Sequence, residues 1–327
     1  MTLYLTQDEV KSVLDMKSTL EAVESAFREM GNDNIEMPAR VYLHFDKGVL
    51  IAMPAYMPGL GAAGTKLVTV HPGNRQAHGL PAVIARIVLN SPENGLPLAI
   101  MDGTYVTALR TGAAGATGIK YLSREDSKEV GLCGLGVQGR SQIMGLMEVR
   151  PGVEKVKVYD IIPEAKAAFV DEMKATYPGV EWVVAESAKE ATQGSDIVIT
   201  CTPSPEAFID GAWLKKGCHV SAIGADTGTK RELMTSVITR CDKLVVDFVP
   251  QAFVVGDFKA PKDEGVITED DIYAELGKIV AGHKEGRTSP DEITLFKATG
   301  LAIQDVGTAY KVYQLAKEKG IGATLAG

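Results

Sequence analysis

The residues with the plainest chemistry lie in Gly134-Leu135-Gly136-Val137-Gln138-Gly139, a Gly-x-Gly-x-x-Gly sequence. It is entered from the apolar run Val130-Gly131-Leu132-Cys133 and left through Ser141 to Met147, whose apolar spacing is helical. Strand, tight turn and helix in that order hold a pyrophosphate. The first glycine permits the turn, the second admits the anion to the backbone, the third lets helix pack on strand, and N–H groups at the helix start face the negative charge. A second strand-like run, Lys155 to Asp160, ends on its acid, about 20 positions past the glycines, where a carboxylate accepts hydrogen bonds from an adenosine ribose. A 2′-phosphate would be repelled there, so the expected cofactor is NAD rather than NADP.

Further candidates are single ionisable residues in apolar company. Arg40 follows Met37-Pro38 in a strand-like run, Lys66 sits in Gly64-Thr65-Lys66-Leu67-Val68, and Arg110 lies in Leu109-Arg110-Thr111-Gly112-Ala113. Such cations either hold an anion or carry their charge to solvent along a long stem. Asp226, in Gly224-Ala225-Asp226-Thr227-Gly228-Thr229-Lys230, falls just past a predicted strand. Ligands bind there in doubly wound sheets, although a helix-capping aspartate fits the same place. Thr200-Cys201-Thr202-Pro203-Ser204 ends another strand, as cofactor lining or as a plain turn. His71 is followed by Pro72-Gly73-Asn74, which favours a structural role over acid–base work. Ser141 and Ser221 have no nucleophile-elbow context, which sets hydrolase chemistry aside.

Two kinds of segment must position these residues. Thr6-Gln7-Asp8-Glu9 has capping-box spacing, an amphipathic helix runs from about Lys17 to Met30, and strands follow over 40–45, 49–53, 64–70, 82–90 and 97–101. A helix rich in small residues covers 105–122. From Lys128, strands and helices alternate: strand to Cys133, helix to Val149, strand 155–160, helix 163–176, then strands 180–185, 196–201, 219–224, 243–247 and 293–296. Helices are expected over 232–240 and 271–282, and a last one over 301–319 carries a wide apolar face that needs a partner. The pattern implies an α/β protein. A Rossmann-type doubly wound parallel sheet occupies residues 123–300, and a discontinuous α+β domain is assembled from 1–122 and 301–327.

Composition bounds the partners. The 327 residues carry a formal net charge of −8 with 45% hydrophobic and 23% charged residues, which leaves no global basic field for nucleic acid or an anionic membrane. MTLYLTQDEV is no signal peptide and no apolar run reaches membrane-spanning length, so a cytoplasmic protein is expected. Cys133, Cys201, Cys218 and Cys241 show no C-x-x-C spacing and read as free thiols, with no metal expected.

Met37-Pro38-Ala39-Arg40, Ala52-Met53-Pro54-Ala55, His71-Pro72-Gly73-Asn74, Ala108-Leu109-Arg110-Thr111, Ile223-Gly224-Ala225-Asp226 and Thr299-Gly300-Leu301-Ala302-Ile303-Gln304-Asp305 occur in one order. That succession resembles the ornithine cyclodeaminase and μ-crystallin family over nearly the whole chain, with the archaeal-type alanine dehydrogenases the most similar branch. The resemblance implies a homodimer in which Arg40, Lys66 and Arg110 converge on the carboxylate of a small amino acid or 2-oxo acid. Lys66 would also exchange a proton, and Asp226 would hold the amino group and orient the water that attacks the imine. It implies that NAD is lined by Arg110, Thr111, Gly134, Gly136, Val137, Gln138, Gly139, Asp160, Thr202, Gly224, Ala225, Asp226 and Lys230. The expected reaction converts L-alanine, NAD and water to pyruvate, ammonia and NADH. Ornithine cyclodeamination and ketimine reduction, or μ-crystallin-like ligand binding, are the alternatives within the family. Ile51 stands where cyclodeaminases carry a glutamate and alanine dehydrogenases a basic residue, and Ala298 stands where the latter have a serine. The isoleucine favours a short or apolar substrate side chain. Lys66-Leu67-Val68-Thr69 resembles the μ-crystallin strand, but that branch tends to lack acids at the positions of Asp226 and Asp160.

Overall fold

Local capping starts the chain as its spacing implies. The Thr6 hydroxyl accepts the Glu9 N–H while the Glu9 carboxylate accepts the Thr6 N–H at 2.8 Å, the reciprocal pair of a capping box. The computed structural model describes residues 1–325. The chain divides into two compact units, Met1–Arg110 with Leu301–Gly327, and Thr111–Gly300.

In the first unit, β1 (Thr2–Leu5) and the helices α1 (Gln7–Val13) and α2 (Met16–Gly31) precede a run of strands. These are β2 (Val41–Phe45), β3 (Gly48–Met57), β4 (Ala62–Val70), β5 (Val83–Asn90) and β6 (Pro97–Asp102), with the short helix α3 (Asn74–His78) between β4 and β5. From β2 to β6 every neighbouring pair is antiparallel, with Ile51 opposite Val68 and Met53 opposite Lys66. Gly103-Thr104 then opens α4 (Thr104–Leu122).

The second unit alternates as expected. Its strands β7 (Glu129–Cys133), β8 (Lys155–Tyr159), β9 (Glu181–Val184), β10 (Ile197–Thr200), β11 (His219–Ala222), β12 (Lys243–Val246), β13 (Ile272–Glu275) and β14 (Thr294–Lys297) form one parallel sheet in the order β13-β12-β14-β11-β10-β7-β8-β9. Between them run α5 (Val137–Val149), α6 (Pro163–Thr176), α7 (Ala188–Thr192), α8 (Thr235–Arg240), α9 (Val249–Ala252), α10 (Lys259–Asp263) and α11 (Leu276–Val280). Strand order reverses at β7, which places the glycine turn at the crevice where such sheets take ligands. Small residues let α4 approach α5 closely: a Cβ on Gly112 would lie 2.3 Å from the Ser141 carbonyl oxygen.

The chain then returns through α12 (Ala302–Lys319) and β15 (Ala323–Leu325). Helix α12 packs on α2 and across β3, β4 and β5, where its Ile303, Val306, Ala309 and Val312 are fully buried with Phe27 and Ile87. The wide apolar face expected of the last helix therefore has its partner, and truncating Phe27 to alanine would cost about 3–5 kcal/mol. Strand β15 pairs antiparallel with β1, which in turn pairs parallel with β6.

The α/β class and the doubly wound sheet agree with the expectation. Three local readings differ. Residues 2–5 form an edge-pairing strand too short to announce itself by period. The helix expected over 271–282 is replaced by β13 and the short α11, because Ile272–Glu275 are captured by the free edge of β12. Helix α8 starts at Thr235 instead of 232, since the Glu232 and Leu233 N–H groups donate to the Asp257 carboxylate.

Candidate active site

In the first unit, the antiparallel pairing of β3 and β4 turns Lys66 inward beside Met53, and the side chain is 1% exposed. Its Nζ stands 2.7 Å from Asp305 Oδ2, and Arg110 Nε donates to Asp305 Oδ1 at 2.8 Å. Arg110 Nη1 also donates to Gln304 Oε1 at 2.8 Å. Arg40, half-buried directly before β2, adds a third positive charge to the surroundings of Lys66. Burial lowers the proton affinity of Lys66, Asp305 raises it, and Arg110 and Arg40 lower it again; the pKa settles at about 7. An amine so poised takes and returns a proton near neutral pH, in a cluster with two permanent cations and one acid.

Asp305 and Gln304 are the residues that sequence reasoning missed. Both lie in the first turn of α12, and both are fully buried. The stretch holding them was legible as a family feature, but nothing local says that an acid there meets a lysine on β4. Gln304 Oε1 accepts from both Arg110 and the Leu301 N–H, which fixes its amide orientation and leaves Nε2 a buried donor with no partner among the described residues. His71 packs its ring against Gly48 and lies 5.9 Å from the Phe45 ring, which fits the structural role expected of it.

In the second unit, the glycine turn has the shape its sequence requires. Gly134 takes φ +101°, and a Cβ there would lie 2.7 Å from the Cys201 carbonyl oxygen. Gly136 has open space where a Cβ would be, and a Cβ on Gly139 would come within 2.4 Å of the Gly134 carbonyl oxygen. Gly136 is also the N-cap of α5, so the free N–H groups of that helix face the open side of the turn. Gln138, in the first turn of this helix, accepts a hydrogen bond from Ser141 Oγ at 3.2 Å.

Asp160 follows β8. Its Oδ2 accepts the Leu135 N–H at 2.8 Å and its Oδ1 the Ile162 N–H at 3.0 Å, bonds that aim the carboxylate beside the turn. Val137, Ile161 and Ile162 are 67%, 84% and 53% exposed. Apolar side chains left in water beside the oriented Asp160 carboxylate suit the faces of a purine, a role for the two isoleucines that the sequence reading did not assign. The residues present therefore fit a dinucleotide: an open anion cradle, a helix N-terminus and an oriented acid.

Thr202, Gly224 and Ala225 lie together past the ends of β10 and β11, tied through one carboxylate: the Thr202 and Gly224 N–H groups donate to Glu232 at 2.6 and 2.8 Å. Asp226 comes next. It is exposed, and Lys230 Nζ lies 2.6 Å from its Oδ1. Thr111 follows Arg110 in α4, and its carbonyl accepts from Gln142 Nε2 at 3.0 Å. The predicted residues thus fall into two groups. Arg40, Lys66 and Arg110 belong to the first unit, and the glycine turn, Asp160, Thr202, Gly224 to Asp226 and Lys230 to the second.

No helix among the described residues is long and apolar enough to cross a membrane. All four cysteines are free thiols.

Compared with known proteins, residues 1–320 match the sequence profile of the ornithine cyclodeaminase/mu-crystallin family. The chain is 43% identical over 324 residues to an alanine dehydrogenase of Archaeoglobus fulgidus, covering 99% of this chain and 98% of that protein. An archaeal alanine dehydrogenase dimer with bound NAD has the same fold at a TM-score of 0.94 and 43% identity, with 99% of each chain covered. The Δ1-pyrroline-2-carboxylate reductase of Thermococcus litoralis, in complex with NADH and L-proline, follows at a TM-score of 0.93 and 41% identity, covering 99% of this chain and 100% of that one.

Proposed function

We propose that this chain, which belongs to the ornithine cyclodeaminase/mu-crystallin family, is an NAD-linked amino-acid oxidoreductase. Its reaction interconverts L-alanine, NAD and water with pyruvate, ammonia and NADH. The observation that carries the reading is Lys66, a fully buried amine with a pKa of about 7 set among Arg110, Arg40 and Asp305. Identity of 43% with an alanine dehydrogenase over nearly the full length supports the choice of substrate.

Arg40 and Arg110 supply the permanent charge that binds the substrate carboxylate. Lys66, neutral above about pH 7, takes the proton that the substrate ammonium must lose, and its burial keeps that exchange away from bulk water. When bound, NAD supplies the acceptor for the α-hydride. Asp226 orients the water that attacks the imine carbon, and Lys230 pairs with its carboxylate at 2.6 Å. The glycine turn, Asp160, Thr202, Gly224 and Ala225 hold the dinucleotide. Ile51, opposite Val68, offers no charge to a distal ammonium, which argues against ornithine as the substrate.

A homodimer belongs to the same reading. Strand β2 ends its sheet with Val41, Tyr42, Leu43 and Phe45 each at least 41% exposed, and an apolar edge of that kind calls for cover. The dimeric state of the archaeal relative supports a second copy as that cover. We assign the protein to the cytoplasm, with residues 1–122 and 301–327 for substrate and dimerisation and 123–300 for the cofactor.

A second reading, reduction of a cyclic imine, is favoured by the 41% identity to the pyrroline-2-carboxylate reductase. NADH oxidation by the purified protein separates the two. Consumption with pyruvate only when ammonia is present supports the dehydrogenase. Consumption with Δ1-pyrroline-2-carboxylate in the absence of ammonia, and none with pyruvate, replaces it with the reductase. Proline formed from ornithine without net change in NADH would move the protein to the cyclodeaminases.

A further inference from the structure

Beneath the strand ends that carry Thr202, Gly224 and Ala225 lies a group of charges that the proposed reaction does not use. Glu232, Asp257 and Lys297 are all fully buried. Glu232 Oε1 accepts the Thr202 N–H at 2.6 Å and the Thr202 hydroxyl at 2.8 Å; its Oε2 accepts the Gly224 N–H at 2.8 Å and the Thr200 hydroxyl at 3.0 Å. Two donors on each oxygen saturate an ionised carboxylate, and a protonated one lacks the acceptor capacity to serve them all. Gly224 must be glycine for this contact, since a Cβ would lie 2.3 Å from the Thr202 carbonyl oxygen and 2.7 Å from Glu232 Oε1.

The clamp is itself held. Asp257 Oδ1 accepts the Glu232 N–H at 2.6 Å, and Asp257 Oδ2 lies 3.1 Å from Lys297 Nζ. Lys297 Nζ donates to the Ala225 carbonyl at 2.6 Å, which closes a ring through Gly224-Ala225, the two residues before Asp226.

We infer that Glu232 is a positioning residue for the dinucleotide: its carboxylate, braced through Asp257 and Lys297, holds the ends of β10 and β11 in the shape that receives the cofactor. The inference rests on the NAD reading above and adds to it a link between cofactor affinity and pH. The ring contains two acids and one base, so ionised Glu232 is an uncompensated buried charge. Burial and the neighbouring Asp257 raise its pKa to about 7 against the Thr202 N–H, Lys297 and the Thr202 hydroxyl, which lower it. The other titratable groups at Glu232 are the thiols of Cys133 and Cys201, both kept neutral by burial. Protonation of Glu232 leaves at least one of its four donors unserved and loosens its hold on the two strand ends, so dinucleotide affinity falls as pH falls through about 7.

The test is NADH binding followed by its fluorescence from about pH 6 to about pH 9, with Glu232→Gln and Thr200→Val beside the wild type and a thermal melt for each. We expect wild-type affinity to weaken toward the acid end. Glu232→Gln, whose amide turns donors toward donors, binds about tenfold more weakly at high pH and loses the pH response. Thr200→Val is nearly isosteric and suits a strand, so it folds. It removes one of the donors that favour the carboxylate and moves the transition up by about half a pH unit to one unit. A structural role alone would lower the melting temperature and leave the transition where it is. NADH affinity flat across this range in the wild type, or an unmoved transition in Thr200→Val, overturns the inference and leaves the cofactor reading standing. Absence of NADH binding at every pH overturns both.

Discussion

Replacing Asp305 by asparagine isolates the one negative charge in the cluster around Lys66. The carboxylate lies 2.7 Å from Lys66 Nζ and 2.8 Å from Arg110 Nε, with all three groups buried, and it is the group that holds the lysine's proton affinity up. Opposite charges about 4 Å apart attract by about 4 kcal/mol at an effective permittivity of about 20. Each pH unit corresponds to about 1.4 kcal/mol, so loss of the acid lowers the pKa of Lys66 by about 3 units. The rise of kcat/KM with pH for amino-acid oxidation, expected at about pH 7 in the wild type, therefore moves in Asp305→Asn to about pH 4. At pH 8 the cluster is one charge more positive, and KM for the anionic 2-oxo acid falls severalfold. The asparagine keeps an acceptor for Arg110, but breaking the buried pair still costs about 3 kcal/mol of stability, readable by denaturant unfolding. Initial rates across pH, on protein shown to be folded, decide the matter. An unmoved limb, or a KM that rises, would refute the role given to Asp305.

Lys66→Ala and Asp226→Asn should each lower turnover by about a thousandfold or more while NADH binding, read by fluorescence, is retained. Turnover within a few fold of wild type would remove that residue from the chemistry. Asp160→Ser should erode the preference for NAD over NADP by about tenfold, and an unchanged ratio of kcat/KM values would show that selection lies elsewhere. Paired substitutions of Leu43 and Phe45 by lysine, on an edge strand that makes no contribution to the buried core, should convert a dimer to monomers in sedimentation. A dimer that survives them uses another surface.

Much of this architecture was readable because the signals were local. Helix α6 begins at Pro163 and ends at Thr176, as a proline in the first turn and the apolar spacing announce. The hairpins of the first unit and the alternation of the second follow from period and turn residues. The glycine turn was readable down to the separate duties of its glycines, because each duty is a backbone constraint. What escaped was set by distant partners. Residues 272–275 have no strand period and pair only because β12 leaves an edge. Asp305 sits in a helical stretch and gains its meaning from a lysine on a strand near the other end of the chain. Glu232 reads as the start of a helix, and four donors from two strand ends make it something else.

The position of Asp305 along the polypeptide bears on how the protein is made. The second unit is drawn from one continuous stretch and can settle as it leaves the ribosome. The first unit has to wait. Lys66 and Arg110 emerge early, but the acid that neutralises them and the apolar face that covers β3, β4 and β5 arrive only with α12. Until then the nascent chain holds an uncovered sheet and two cations without their counter-charge, so the cluster around Lys66 is assembled only once α12 has been made. A ribosome stalled before α12 releases a product that can complete its dinucleotide fold and cannot complete the substrate end, which ties catalytic competence to reading the message through to α12.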